Sequence, residues 1–217
     1  MGGSGDARKL QGTDGPNRRQ LLKFAGIGGA GILGVAAATA LTGAVAPHAA
    51  PKPRVVAGRG PLEAWLYLTI VPGTPEHPQW PAYIPADFTV PSEALVHVEI
   101  RCFDPGTAVV PSGYERVQGT VGGTEEVTGT VEGVLSNKPS RTVTTLASTN
   151  VAHTFTFAEP KLSVPIPPLS TVRFAFKTGA AGHYGWQCMA AGGTGSGGWG
   201  GPMSTQGYMA GTMTVTA

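Results

Sequence analysis

Residues 151–157 read Val-Ala-His-Thr-Phe-Thr-Phe, residues 172–176 read Val-Arg-Phe-Ala-Phe, and residues 182–188 read Gly-His-Tyr-Gly-Trp-Gln-Cys. The first two are short runs of β-branched and aromatic side chains, and the third leads from glycine into a thiol, so each predicts a strand. Outward from them the pattern repeats. Tyr208 to Val215 closes the chain as a last strand, and Ala64-Trp65-Leu66-Tyr67-Leu68-Thr69-Ile70-Val71, bounded by Pro61 and Pro72-Gly73, predicts a buried one. Residues 72–86 carry Pro72, Pro75, Pro78, Pro81 and Pro85 and predict a loop. Phe88 to Phe103 predicts two further strand pieces with Leu95, Val98 and Ile100 in the core, ended by a turn at Asp104-Pro105-Gly106. At least six strands with little helical periodicity imply an all-β sandwich or barrel.

Composition agrees. Of 217 residues, 33 are Gly and 19 are Pro while only 13% are charged, which removes the charged surfaces a helical bundle needs. Hydrophobic residues at 41% exclude a disordered chain. The length suits one domain with an appendage. The net charge of +2 is uneven: Arg8, Lys9, Arg18, Arg19 and Lys23 lie at the start, whereas from Pro47 onward ten basic residues face eleven acidic ones. A near-neutral body has no basic stripe for phosphates, which argues against nucleic-acid binding.

Residues 105–149 are the least patterned. Val117-Gln-Gly-Thr-Val121 and Val127-Thr-Gly-Thr-Val131 are near-copies separated by a spacing of ten, with Gly122-Gly123 between them. They predict a β-hairpin, serving as an insertion or an edge element. Residues 190–201 hold seven glycines in twelve positions and predict a mobile loop unless Trp199 or a partner pins it. That loop lacks the Gly-Lys-Ser/Thr ending of a phosphate cradle, and no hydrolase constellation is present.

At the N-terminus, Asn17-Arg18-Arg19-Gln20-Leu21-Leu22-Lys23 precedes an uncharged stretch from Phe24 to Ala46 that ends in Ala44-Val45-Ala46. This resembles a twin-arginine export signal with a small-residue cleavage site. Left uncleaved, residues 24–46 are long enough for a membrane tether. Either outcome implies a periplasmic or extracellular body, joined through a Pro-rich linker over residues 47–61.

The ordered set of His153 on a strand, a Pro-rich segment, Thr171-Val-Arg-Phe-Ala-Phe176 and Gly182-His-Tyr-Gly-Trp-Gln-Cys188 resembles the cupredoxin superfamily. The likeness is to the periplasmic domain of cytochrome c oxidase subunit II and covers about residues 85–217. It implies a Greek-key β-sandwich, a copper site and an electron-transfer partner such as a membrane oxidase. Imidazole and thiolate suit copper, and mononuclear sites of this kind use two His and one Cys with a weak axial Met. Carried over, the resemblance gives His153 and Cys188 as ligands.

The chain departs from the family where its second Cys, second His and Met would fall, at Gly192, Ser196 and Trp199, and no His follows His183. A dinuclear centre is therefore not expected. One copper ion would have to recruit His183, with Met203 or Met209 as a soft ligand. Residues 183 and 188 differ by an odd number, so a bulge at Gly185 would be needed to turn them to one face. Two readings stay open: a copper electron carrier, and a copper-free interaction module on the same fold. Copper delivery through Met189, Met203, Met209 and Met213 is a third. Cys102 and Cys188 could instead form a disulfide, if the fold brings them together.

Overall fold

Strand β1 (Leu62–Val71) buries Ala64, Leu66, Leu68 and Ile70 on one side and leaves Tyr67 48% exposed on the other. That two-residue period is what a strand with one core face requires. The computed structural model describes residues 62–129 and 139–217. The export signal, possible tether and linker expected over residues 1–61 lie outside them.

The chain continues through β2 (Ala82–Ile84), β3 (Phe88–Pro91), β4 (Ala94–Cys102), β5 (Glu125–Gly129), β6 (Arg141–Val143), β7 (His153–Phe157), β8 (Leu162–Ile166), β9 (Ser170–Lys177), β10 (Gly182–Gln187) and β11 (Ala210–Thr216). Two sheets form. One has the order β2-β1-β4-β9-β5-β6 and the other β3-β11-β10-β7-β8. Their inner faces supply one core that includes Leu68, Ile100, Phe155, Val172, Phe176, Trp186 and Met213. The expected all-β sandwich is the observed fold.

β1 and β4 run parallel, which demands a crossover, and the chain makes it by visiting the second sheet as β3 before returning as β4. The corner between β3 and β4 places Glu93 at φ 50 and is clasped by the Thr178 hydroxyl, which accepts from Ala94 N–H and donates to Pro91 O, each at 2.8 Å.

Three expectations need correction. Leu95 lies on the outer face of β4, because Val96, Val98 and Ile100 set the inward parity. The segment 72–86 contains a short strand, β2, which pairs with β1 and carries the buried Tyr83. The near-copies do not form a hairpin. Val117 N–H donates to Thr144 O, and Gln118 exchanges backbone bonds with Ser163 of β8, while β5 pairs with β9 and β6 in the other sheet. Gly122 and Gly123, at φ 79 and 66, form a short turn that carries the chain between the two sheets. The second copy ends at Val131, outside the described residues.

Candidate metal centre

His153 opens β7 on the inward parity it shares with Phe155 and Phe157, and it is 1% exposed. Cys188 follows β10 on the inward parity of Trp186 and is fully buried. β7 and β10 are hydrogen-bonded neighbours, paired at Trp186 with Phe157 and Gln187 with Thr156. Adjacent strands thus bring together two residues 35 apart in sequence, with His153 Nδ1 3.9 Å from Cys188 Sγ. The Thr154 N–H donates to that sulfur at 3.3 Å.

The other ring nitrogen, His153 Nε2, lies 3.0 Å from Asp104 Oδ2, and Asp104 is itself 3% exposed. Its second oxygen, Oδ1, accepts the Gly106 N–H at 2.8 Å. The sequence shows Asp104 only as a turn residue before Pro-Gly. No backbone turn forms over 104–106, where only the Gly106 N–H to Asp104 Oδ1 bond closes the corner, and Asp104 reaches across the sandwich, since β4 leads into it from the first sheet while His153 belongs to the second.

Burial alone would lower the His153 pKa, but the Asp104 carboxylate and the Cys188 sulfur outweigh it and raise it to about 9. Burial pushes the Cys188 thiol up, and the His153 hydrogen bond and charge with the Thr154 N–H pull it below its usual value. The two shifts run in opposite directions because the imidazole and the thiol hydrogen-bond each other. Cys102 differs: burial drives its thiol up to about 12, so it stays protonated. Both cysteines are free, so the structure contains no Cys102–Cys188 disulfide.

The remaining expected ligands divide. The β10–β11 ladder runs without a break from Gly182 paired with Val215 to Gln187 paired with Ala210, so Gly185 forms no bulge. His183 therefore faces outward, exposed, with Nδ1 3.1 Å from Thr214 Oγ1. The structure does not bring it to Cys188. Met209 stands opposite Cys188, because the Cys188 N–H donates to Met209 O at 2.8 Å and extends the ladder one step. Residues directly opposite share a face, and both are fully buried. Met203 is 2% exposed in the short helical turn Gly201–Ser204, and its carbonyl accepts from Gln187 Nε2. The glycine-rich loop is folded on itself, with Thr194 and Gly200 paired in both directions and Gly193 N–H donating to Gly198 O at 2.7 Å.

The donor chemistry suits a soft ion, with one imidazole, one easily ionised thiol and buried thioethers. Bonds of about 2.0–2.1 Å to imidazole and about 2.3 Å to thiolate together exceed the 3.9 Å gap, so one ion can touch both atoms. Among the described residues, no group of three or more His, Cys, Asp or Glu side chains is placed to hold a metal.

No family model matches the chain, and no curated protein matches it. Among solved structures it is similar to auracyanin B, at 13% identity and a TM-score of 0.32 over 77% of this chain and 99% of that one. It is also similar to sodium dithionite-reduced auracyanin from the photosynthetic bacterium Roseiflexus castenholzii, at 16% identity and a TM-score of 0.31 over 70% and 97%. Similarity at this level concerns the fold alone and carries no argument about the centre.

Proposed function

We propose that this chain is an exported, cupredoxin-like copper protein that carries single electrons to or from a redox partner, such as a membrane respiratory oxidase. The observation that supports this reading is the buried His153–Cys188 pair. Nδ1 faces Sγ across 3.9 Å, Asp104 takes the far nitrogen, and a backbone N–H points at the sulfur. A purely structural histidine would need its nitrogens satisfied, but would not need a thiol facing one of them with a backbone N–H aimed at its sulfur. His153 and Cys188 would hold one ion, with the Met209 thioether as the third donor and Met203 in reserve. Bound copper would supply a one-electron couple inside a framework that moves little.

A second reading has its own support. The ligand set lacks a second imidazole, and the imidazole and the thiol already hydrogen-bond each other, which suits a copper-free interaction module. The two separate cleanly. Purified chain is titrated with cupric ion while absorption and metal content are followed. One copper per chain with an intense thiolate charge-transfer band, abolished in Cys188→Ser with unchanged far-ultraviolet circular dichroism, upholds the carrier. A folded chain that stays colourless and metal-free overturns it in favour of the module.

A further inference from the structure

The outer face of the second sheet is hollowed into a groove of about 620 Å³. Its floor is built by the residues that alternate with the core: Ser163 on β8, Thr156 on β7, Gly185 and Gln187 on β10, and Thr212 on β11. Four strands set about 4.8 Å apart make that floor about 14 Å wide. At the β8 end the wall is the segment 112–118, held tightly to the sheet edge. Gln118 and Ser163 exchange backbone bonds at 2.8 and 3.0 Å. Gly119, at φ 75, comes so close that a Cβ would lie 2.0 Å from Lys161 O. At the β11 end stands Gln206, against Thr212. Gly185 leaves a hollow in the floor, with nothing within 4 Å of its Cβ position.

Three side-chain amides line this groove, all set the same way round. Gln118 Nε2 donates to Gly113 O at 3.2 Å, Gln187 Nε2 to Met203 O at 3.3 Å, and Gln206 Nε2 to Asp87 Oδ1 and Thr212 Oγ1, each at 3.4 Å. Their nitrogens are engaged by the protein, and among the described residues nothing donates to the three Oε1 atoms. An amide oxygen only accepts, so the groove calls for a ligand rich in donors. Among the described residues that line it, Lys161 is the one charged side chain and no carboxylate is present. A polyamine would meet that ammonium with no anion to hold it. An anionic ligand brings acceptors where donors are wanted, and a peptide backbone brings as many acceptors as donors. A neutral chain of sugars brings hydroxyls, each of which donates, and its oxygens accept from Lys161. The half-buried Tyr114 on the wall offers an aromatic ring to the apolar side of a sugar.

We propose that this groove binds a neutral, linear oligosaccharide whose hydroxyls donate to the amide oxygens of Gln118, Gln187 and Gln206, with one sugar ring seated in the hollow at Gly185. The groove lies on the opposite face of the sheet from the inward-pointing His153 and Cys188, and its binding requires no metal.

The test compares the full chain with Gly185→Leu, Gln187→Met and, on the outer face of the other sheet, Tyr67→Ala. Each is applied to a printed array of neutral glucan, mannan and N-acetylglucosamine oligomers beside sulfated and uronic-acid oligosaccharides, with spermine and a set of uncharged peptides as further probes. Wild type should retain at least one neutral class. Its affinity for that class, measured by titration calorimetry, should fall about 3–10-fold in Gln187→Met, which loses one hydrogen bond. Gly185→Leu, whose side chain fills the hollow, should abolish binding, and Tyr67→Ala should match wild type. Circular dichroism and thermal melting should be unchanged, because Gly185 and Gln187 are both exposed. Retention of no neutral oligomer overturns the proposal, and so does retention only of acidic glycans, spermine or peptides. Neutral-glycan binding that survives Gly185→Leu and Gln187→Met unchanged overturns the assignment to this groove. If one of those two variants does not fold, the other decides.

Discussion

Cys188 and Met209 face each other one step beyond the last named pair of the β10–β11 ladder, joined by a 2.8 Å bond from the cysteine amide to the methionine carbonyl. Both side chains are fully buried on the inner face. Side chains at opposed positions of a ladder are neighbours, which makes the Met209 thioether the candidate weak soft donor next to Cys188. Met209→Leu, nearly equal in volume, should cost less than about 1.5 kcal/mol of stability. It should nevertheless shift the charge-transfer band and the potential of the copper-loaded chain, and Met203→Leu should shift them less. Absorption and voltammetry of the two variants side by side check this.

His183 lies outward on β10 and touches only Thr214 Oγ1 among the hydrogen bonds of its ring. His183→Ala should leave copper affinity within twofold of wild type and change stability by less than about 0.5 kcal/mol, as exposed positions do. A tenfold loss of affinity would return His183 to the ligand set.

Glu125, on β5, is 1% exposed, and among the described residues neither of its carboxyl oxygens has a hydrogen-bond partner. Burial raises its pKa to about 8, against which the Arg141 charge pulls only weakly. A raised acid binds its proton more tightly folded than unfolded, so its contribution to stability is full below about pH 4.5 and is lost as pH rises to about 8. Between pH 5 and 7.5 the loss should be on the order of 3 kcal/mol. Urea unfolding across that window should show wild type weakening more steeply than Glu125→Gln, which keeps only the shallower decline due to His153. Parallel curves for the two would remove Glu125 as the source.

Gly211 on β11 has no room for a side chain: a Cβ there would lie 2.0 Å from Ala86 O and 2.6 Å from Trp186 Nε1, which donates to that same carbonyl. Gly211→Ala should destabilise by about 1–3 kcal/mol or more. Gly185 on the neighbouring strand has nothing within 4 Å of its Cβ position, so Gly185→Ala should be neutral or stabilising. Thermal melts of the pair supply the contrast.

Much of the sandwich was legible because its long strands announce themselves. β1, β4, β9 and β11 are runs of alternating or β-branched residues whose inward parity can be read directly. β8 escaped because the stretch before Thr171 reads only as a Pro-rich segment, yet β8 is the edge of its sheet, where Pro165 costs no ladder bond. The hairpin fails because the first segment bridges β8 through Gln118 while the second pairs with β9 and β6 in the other sheet. The odd offset between His183 and Cys188 already contained the answer the register gives. Asp104 could not be seen, because its bond to His153 spans 49 residues and two sheets, and no local pattern encodes such a contact.

The span of that bond also bears on how the protein comes to exist. Asp104 is delivered by the first sheet, and His153 and Cys188 by the second, so the His153–Asp104 contact exists only once the two sheets have met. Contacts this distant in sequence form late, after the loops between them have been closed. The imidazole–carboxylate bond is thus a marker of the final docking step. Whatever binds the folded chain and not the open one will, by mass action, hold the sandwich closed and that contact with it.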